Sequence, residues 1–383
     1  MIQRIIKPKL IENLKGGNVT ILLGARRTGK TFLMNQIIDD LKDYRILKLN
    51  GEDFDIMEVL SSGKTSVLNA LVADYDYLFI DEAQNIPNIG KNLKLLVDTR
   101  NDLAVFATGS ASFDLKNKTG EPLTGRSRTF VLLPFAASEV SNDFISSRQE
   151  LNLSLIYGSY PQVFNEINLN EKRSFLEDLK NSYLLKDILV LNNLKDNLFI
   201  MNLLKLIAYQ IGKDISYNEL ANSLDTTVKT IQRYLDLLEK TFVIFRLYGY
   251  SKNLRKEVSK SPRFYFWDNG IRNAVISNFN LLDSRQDVGQ LWENYCISER
   301  IKISKYNNKF ANYYFWRTYD QQEIDLIEEV DANISAFEFK FGNRKVKTPK
   351  AFKDNYPDAV FTTINKDNFF DYLNFRKFVD TGQ

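Results

Sequence analysis

One stretch constrains this chain more than any other. The apolar run Val19–Leu23 leads into Gly24-Ala25-Arg26-Arg27-Thr28-Gly29-Lys30-Thr31, and a helix-like segment follows to Lys42. The eight residues fit G-x-x-x-x-G-K-[ST], and strand, glycine-bounded loop and helix is the order that phosphate binding requires. The glycines let the backbone turn tightly, so its N–H groups and the helix N-terminus face an anion. Lys30 then reaches β and γ phosphate oxygens, and the Thr31 hydroxyl a Mg²⁺ ion. A merely basic turn would leave that flanking order unexplained.

The rest of the N-terminal third fits the same frame. Short apolar runs beginning at Val19, Arg45, Tyr77, Leu103 and Arg128 alternate with helix-like stretches, the signature of an α/β domain with a mainly parallel sheet. The run Tyr77–Ile80 ends in Asp81-Glu82. Asp81 is expected in the Mg²⁺ shell, and Glu82 stands where a base for an attacking water belongs. Ser110, after the next strand, is a candidate γ-phosphate sensor, although Thr-Gly-Ser is also ordinary turn chemistry.

Composition narrows the chemistry further. The 383 residues include no histidine, which removes the commonest general base and zinc ligand together, so carboxylates, lysines, arginines and hard metal ions must carry any reaction. A single cysteine, Cys296, excludes an internal disulfide framework and fits a reducing compartment. With no apolar run long enough to span a bilayer, a cytoplasmic protein without membrane partners is expected. The net charge of +3 is too small to argue for nucleic acid on its own.

The acidic pair after the second strand and the polar end of the next resemble the AAA-type branch of P-loop ATPases. That resemblance implies ATP and Mg²⁺ as cofactors, and an arginine completing the site, often from a neighbouring subunit of a homo-oligomer. Arg126 and Arg128, just before the fifth strand, are the candidates; both could equally be solvated surface residues.

Further along, Ser216 and Glu219 form an S-x-x-E capping pattern, and Thr226-Thr227 can cap the next helix. Val228, Ile231, Leu235 and Leu238 make that helix's apolar stripe, while Lys229, Thr230, Gln232 and Arg233 lie opposite. Those are residue types that contact phosphates and base edges from a recognition helix. Two strand-like runs then bracket a loop with Lys252, Arg255, Lys256 and Lys260, suggesting a winged helix. Between Lys195 and Arg263, 12 basic residues face 7 acidic ones, so positive charge concentrates here. DNA contact is the functional reading, and protein packing the alternative.

Near the C-terminus, Glu323 and Asp325 share one face of a strand, and Glu338 and Lys340 one face of the next. Two carboxylates facing a lysine can hold Mg²⁺ and orient a water, with Glu293 on the preceding helix as a further ligand. The order of helical Glu293, strand Asp325, then Glu338-x-Lys340 resembles the PD-(D/E)xK nuclease-like fold. A structural relic of that fold is the alternative.

Taken together, GARRTGKT, FIDEAQ, TGSAS, LTGR, LPFAASEV, YGSYPQV, FYFWDNGIRNAV, ENY, EIDLI and FEFK resemble a group of bacterial and archaeal ATP-binding proteins over nearly the full length. The resemblance implies a multidomain α/β chain: an AAA-type P-loop core at 1–150, a helical lid at 151–195, a winged helix at 196–280 and a restriction-endonuclease-like domain at 281–383. The expected function is a Mg²⁺-dependent ATPase that associates with DNA and carries a metal-dependent nuclease domain. The alternative is a nucleotide-controlled protein-interaction switch with an inactive nuclease-like domain.

Overall fold

The computed structural model describes residues 2–109, 123, 125–141, 143–184, 197–251 and 261–374. Ser110, Lys252, Arg255 and Lys256 lie outside the described residues. Two compact units emerge. The first reaches Leu133; the second begins at Pro134 and takes the remaining described chain except Lys240–Phe242, which group with the first.

The first unit runs α1 (Lys7–Asn13), β1 (Val19–Leu23), α2 (Lys30–Asp40), β2 (Ile46–Asn50), α3 (Phe54–Ser61), α4 (Thr65–Leu71), β3 (Tyr77–Asp81), α5 (Ile89–Thr99), β4 (Ala104–Gly109) and β5 (Ser127–Val131). Its five strands are all parallel, in the order β2-β3-β4-β1-β5. Every residue of β1 and β4 is buried, as central parallel strands covered on both faces must be. The edge strands β2 and β5 are largely exposed or half-buried. Val19, Ile21 and Leu23 pack in one cluster with Leu78, Ile80, Val105 and helix residues such as Leu93 and Leu96. The sheet therefore brings the C-terminal ends of β1, β3 and β4 side by side, with β4 between the loop-bearing β1 and the acidic end of β3.

The second unit continues with α6 (Ala137–Val140), α7 (Phe144–Tyr157), α8 (Pro161–Asn165), α9 (Leu169–Asp178), α10 (Asn197–Tyr209), α11 (Tyr217–Ser223) and α12 (Val228–Lys240). Then follow β6 (Ile244–Gly249), β7 (Arg263–Phe266), α13 (Asn269–Val275), α14 (Val288–Tyr306), β8 (Asn312–Arg317), β9 (Glu323–Val330), β10 (Asn333–Phe339), α15 (Lys350–Asn355), β11 (Val360–Ile364) and α16 (Phe369–Asn374). Its sheet has the order β11-β10-β9-β8-β6-β7. The hairpin β6–β7 is antiparallel, and β6 also pairs in parallel with β8 through Tyr248↔Tyr314 and Gly249↔Phe315.

One sheet runs through segments on both sides of residue 280, and both segments fall in the second compact unit. The helices expected as a lid also belong to the second unit, where the Asn273 amide donates to the Leu155 and Ile156 carbonyls at 3.0 and 2.8 Å. Gly158 ends α7 at φ +74°, and it must be glycine because a Cβ there would lie 2.0 Å from the buried Asp268 carboxylate. Asp268 in turn accepts from the Ser159 and Ile271 N–H groups at 2.7 and 3.0 Å, capping α13.

Candidate functional site

The loop after β1 is shaped by two close approaches. Gly24 must be glycine, since a Cβ would stand 2.2 Å from the Leu132 carbonyl oxygen. Arg27 and Gly29 take left-handed backbone at φ 65° and 94°, on either side of Thr28. Such alternation gathers successive N–H groups into an anion-binding hollow, here at the start of α2. Lys30, only 5% exposed, folds its ammonium onto the Gly24 and Ala25 carbonyls at 3.1 and 3.0 Å. Thr28 donates to the Ala25 carbonyl at 2.9 Å, Arg26 is half-buried, and Thr31 is exposed in the first turn of α2.

Two supporting residues escaped the sequence reading. The buried Arg4 donates to the Thr28 carbonyl at 3.0 Å and the Leu133 carbonyl at 2.6 Å, tying the loop to the chain after β5. Its signal was a lone cation among Ile2, Ile5 and Ile6. The fully buried Thr108, on β4, donates to Asp81 Oδ1 and accepts from the Glu82 N–H at 3.1 Å. It precedes the expected sensor Ser110 by two positions, on the last turn of alternation before the strand ends.

Asp81 and Glu82 are thereby fixed. Asp81 Oδ1 also accepts from the Glu82 N–H at 3.2 Å, and Glu82 sits in left-handed backbone at φ 50°. The Gln84 side-chain amide donates to Glu82 Oε2, which orients that carboxylate. Lys30, Thr31, Asp81 and Glu82 thus stand at the same end of the sheet, a donor set that fits a Mg²⁺-nucleotide.

Arg126 and Arg128 are not brought to this end. Strand register sets Ser127 beside Val19 and Val131 beside Leu23, so both arginines lie by the start of β5. Four residues of strand separate them from the cradle, about 13 Å. Arg126 pairs with Asp98 at 3.4 Å and Arg128 donates to Asn13 Oδ1 at 2.7 Å.

In the second unit, Ser216 accepts from the Glu219 N–H at 3.3 Å, as the capping pattern expects, but the Glu219 carboxylate meets the Gln210 amide rather than closing the box. Thr227 accepts from the Thr230 N–H at 3.2 Å at the start of α12. Ile231, Leu235 and Leu238 are buried and Val228 half-buried, while Lys229, Gln232 and Arg233 are exposed. Lys229, Gln232 and Arg233 line a groove of about 720 Å³ together with Arg246 and Tyr248 of β6.

The C-terminal carboxylates converge from α14, β9 and β10. Pairing of Phe337 with Leu326 sets Asp325 and Glu338 on directly opposed positions. The Phe339 N–H donates to Asp325 Oδ2 at 2.8 Å, and the Lys340 ammonium to Glu338 Oε1 at 2.7 Å. Burial, then the Glu338 charge, push the Asp325 carboxyl up to about 7. Burial and the Asp325 charge hold Glu293 well above the usual carboxylate range, and the Tyr265 hydroxyl donates to it at 2.8 Å. Glu338 Oε2 is buried with no hydrogen-bond partner. Among the described residues no group of three His, Cys, Asp or Glu side chains stands together as a metal-binding set. The opposed pair with its unsatisfied oxygen fits a hard cation that takes one or two carboxylates and keeps its waters; Glu293 is engaged with Tyr265 instead.

Comparison with known proteins bears on both regions. Residues 16–141 match the family described as an AAA domain. Residues 148–282 and 288–371 match two families each described as a domain of unknown function, DUF8612 and DUF4143. The chain is similar to an uncharacterized protein of Mycobacterium tuberculosis, 28% identical across 84% of this chain and 70% of that one. It is similar also to an uncharacterized protein of Methanocaldococcus jannaschii, 24% identical across 96% of this chain and 86% of that one. Among solved structures it is similar to a Walker-type ATPase of Pyrococcus abyssi, with 15% identity, a TM-score of 0.49, and coverage of 72% of this chain and 96% of that one. Among the described residues no helix is long and apolar enough to cross a membrane. Residues 16–141 are thus similar to AAA domains, and the strand, glycine-bounded loop and helix that begin at Val19 lie within that match.

Proposed function

We propose that this AAA-type domain hydrolyses ATP with Mg²⁺ in the service of DNA, which the chain holds through a winged helix formed by α10–α12 and the β6–β7 hairpin. The observation that carries the catalytic half is the Thr108–Asp81–Glu82–Gln84 network at the mouth of the phosphate cradle. Lys30 and the loop N–H groups bind the phosphates, Thr31 and Asp81 would hold Mg²⁺, and Glu82 takes the proton of the attacking water. Bound Mg²⁺ supplies neutralisation of phosphate charge; the chain's own part is to position and to exclude. Among the described residues, Thr108 is the side chain that connects the acidic pair to the neighbouring strand.

The DNA half rests on the exposed face of Lys229, Gln232 and Arg233 beside a groove of about 720 Å³, with Lys252, Arg255 and Lys256 on the hairpin connection by sequence. At the opposed Asp325 and Glu338, a metal-dependent phosphodiesterase is the reading that the unsatisfied Glu338 oxygen favours. A divalent ion there would polarise the scissile phosphate; Lys340 would meet its developing negative charge.

Steady-state ATP hydrolysis by the full chain, with and without duplex DNA, tests the proposal. Stimulation that disappears in Lys229→Gln/Arg233→Gln, with all turnover lost in Lys30→Ala, is the expected result. An unstimulated slow rate with no DNA binding at low salt would replace this reading by the nucleotide-controlled interaction switch. Mg²⁺- or Mn²⁺-dependent cleavage that survives Asp325→Ala and Lys340→Ala would remove the nuclease assignment.

A further inference from the structure

The chain leaving β10 carries a charge run that the site described above does not use. From Phe339 to Lys353 there are six cations, Lys340, Arg344, Lys345, Lys347, Lys350 and Lys353, and no carboxylate. All but Lys340 are exposed, and none of those five makes an ion pair among the described residues. A solvated charge run usually interleaves both signs or pairs along a helix face. This one does neither.

The segment is also held in place. Lys340 N–H donates to the Ile364 carbonyl at 3.0 Å, and Val346 N–H to the Thr363 hydroxyl at 3.2 Å, which fixes the loop along β11, the edge strand of the sheet. Lys347 and Lys353 line one groove of about 550 Å³, whose floor includes Phe352, Tyr356 and Phe361. The strip starts at Lys340, whose ammonium meets Glu338 in the opposed carboxylate pair.

We propose that this strip, from Lys340 to Lys353, is a DNA-backbone contact separate from the α12 face, leading phosphates toward the Asp325–Glu338 pair. The inference rests on the reading that the chain associates with DNA. Charge complementarity selects the partner: five exposed cations with no ion pair among the described residues, on a backbone anchored along β11, match a polyanion, and each phosphate neutralised releases counterions. A membrane surface fits poorly, because Phe352 is buried and the strip presents no large apolar side chain to insert.

The test measures binding of the full chain to a fluorescent 25-base-pair duplex across a salt series. Arg344→Gln/Lys345→Gln/Lys347→Gln is compared with Lys229→Gln/Arg233→Gln and with Lys42→Gln/Lys64→Gln, two exposed lysines of the first unit. The strip variant is expected to lower the slope of log affinity against log salt by about 2–3, and to weaken binding tenfold or more near 0.1 M salt. Its melting midpoint and DNA-free ATP turnover should match the parent. An unchanged slope and affinity in the strip variant, with binding lost in the α12 variant, overturns the strip alone. Loss in the strip variant with none in the α12 variant keeps the strip and removes the winged-helix contact. Absence of DNA binding by the parent at low salt overturns both. Strip-dependent binding to phosphatidylserine vesicles with DNA affinity unchanged would assign the cations to a lipid surface instead.

Discussion

The two carboxylate pairs of this molecule differ in how far the protein alone satisfies them. At the nucleotide cradle, Asp81 is held by Thr108 and a backbone N–H, Glu82 by Gln84, and Lys30 rests on loop carbonyls. In the second unit, Asp325 and Glu338 oppose each other inside the sheet, Asp325 is pushed up to about 7, and one Glu338 oxygen has no donor. The first pair sits at strand ends, where neighbouring loops can lend donors. The second sits within paired strands, whose N–H groups are mostly committed to the ladder. A cradle can wait for its ligand in a relaxed state, whereas two buried carboxylates store an electrostatic cost that a proton or a cation relieves.

The largest expected effect separates chemistry from binding at the cradle. Glu82→Gln keeps the hydrogen-bonding shape of the side chain and removes the base, so nucleotide binding should persist while turnover falls about 10²–10⁴-fold. Equal turnover in wild type and variant would assign the base elsewhere and leave Glu82 a structural strand end.

The next effect has the opposite sign. Asp325 titrates near 3.8 when unfolded and near 7 when folded, so between those values the native state holds the extra proton. Stability therefore falls as pH rises through this window, and above about 7 the full cost, on the order of a few kcal/mol, is present. Asp325→Asn should melt several degrees higher than the parent at pH 8 in the absence of divalent ions, with the difference shrinking toward pH 4. The buried Arg300–Glu328 pair of the same unit gives the contrast: its two side chains meet at 2.6 Å, and Arg300 holds the Glu328 carboxyl below its ordinary value. Removing Arg300 there leaves the buried Glu328 with Lys309 but without its guanidinium contacts, and destabilises. A lower melting point for Asp325→Asn at pH 8 would make the opposed pair an ordinary structural feature and erase the difference between the two regions.

What the sequence disclosed follows from the range of the interactions. The cradle was legible because eight consecutive residues carry it and two flanking elements confirm it. The opposed pair was legible because strand alternation is local, so Asp325 and Glu338 could be placed on faces before their strands were paired. Arg4 and Thr108 were not, since each acts on a residue more than twenty positions away through a side chain with no motif of its own. Nor was the join of β6 to β8, a short parallel pairing between segments distant in sequence. The arginines before β5 were readable as residues but not as positions, because only the register of β5 on β1 reveals which end of the sheet they occupy.

Thr108 offers a smaller, structural test of the cradle's self-sufficiency. Thr108→Val keeps the volume and deletes the hydroxyl that both donates to Asp81 and accepts from Glu82 N–H. A loss of about 1–3 kcal/mol is expected, read as an earlier melting of nucleotide-free protein. Saturating Mg²⁺-nucleotide should recover part of it, because bound ligand stabilises the folded state by mass action. An unchanged melting point would show that the acidic pair is held by the backbone alone.

The smallest effect concerns Gln84, whose side-chain amide orients Glu82. Gln84→Ala leaves base, loop and lysine in place, so nucleotide affinity should not move. Turnover should fall a few-fold, in keeping with the loss of one hydrogen bond of about 0.5–1.5 kcal/mol. Gln84→Glu tests direction: it replaces a donor with a like charge against Glu82, and its turnover should lie below that of the alanine variant. If both variants turn over at the parental rate, the Glu82 carboxylate needs no positioning partner. The cradle would then resemble the opposed pair more closely than its hydrogen bonds suggest, with its geometry set by the ligand rather than before it arrives.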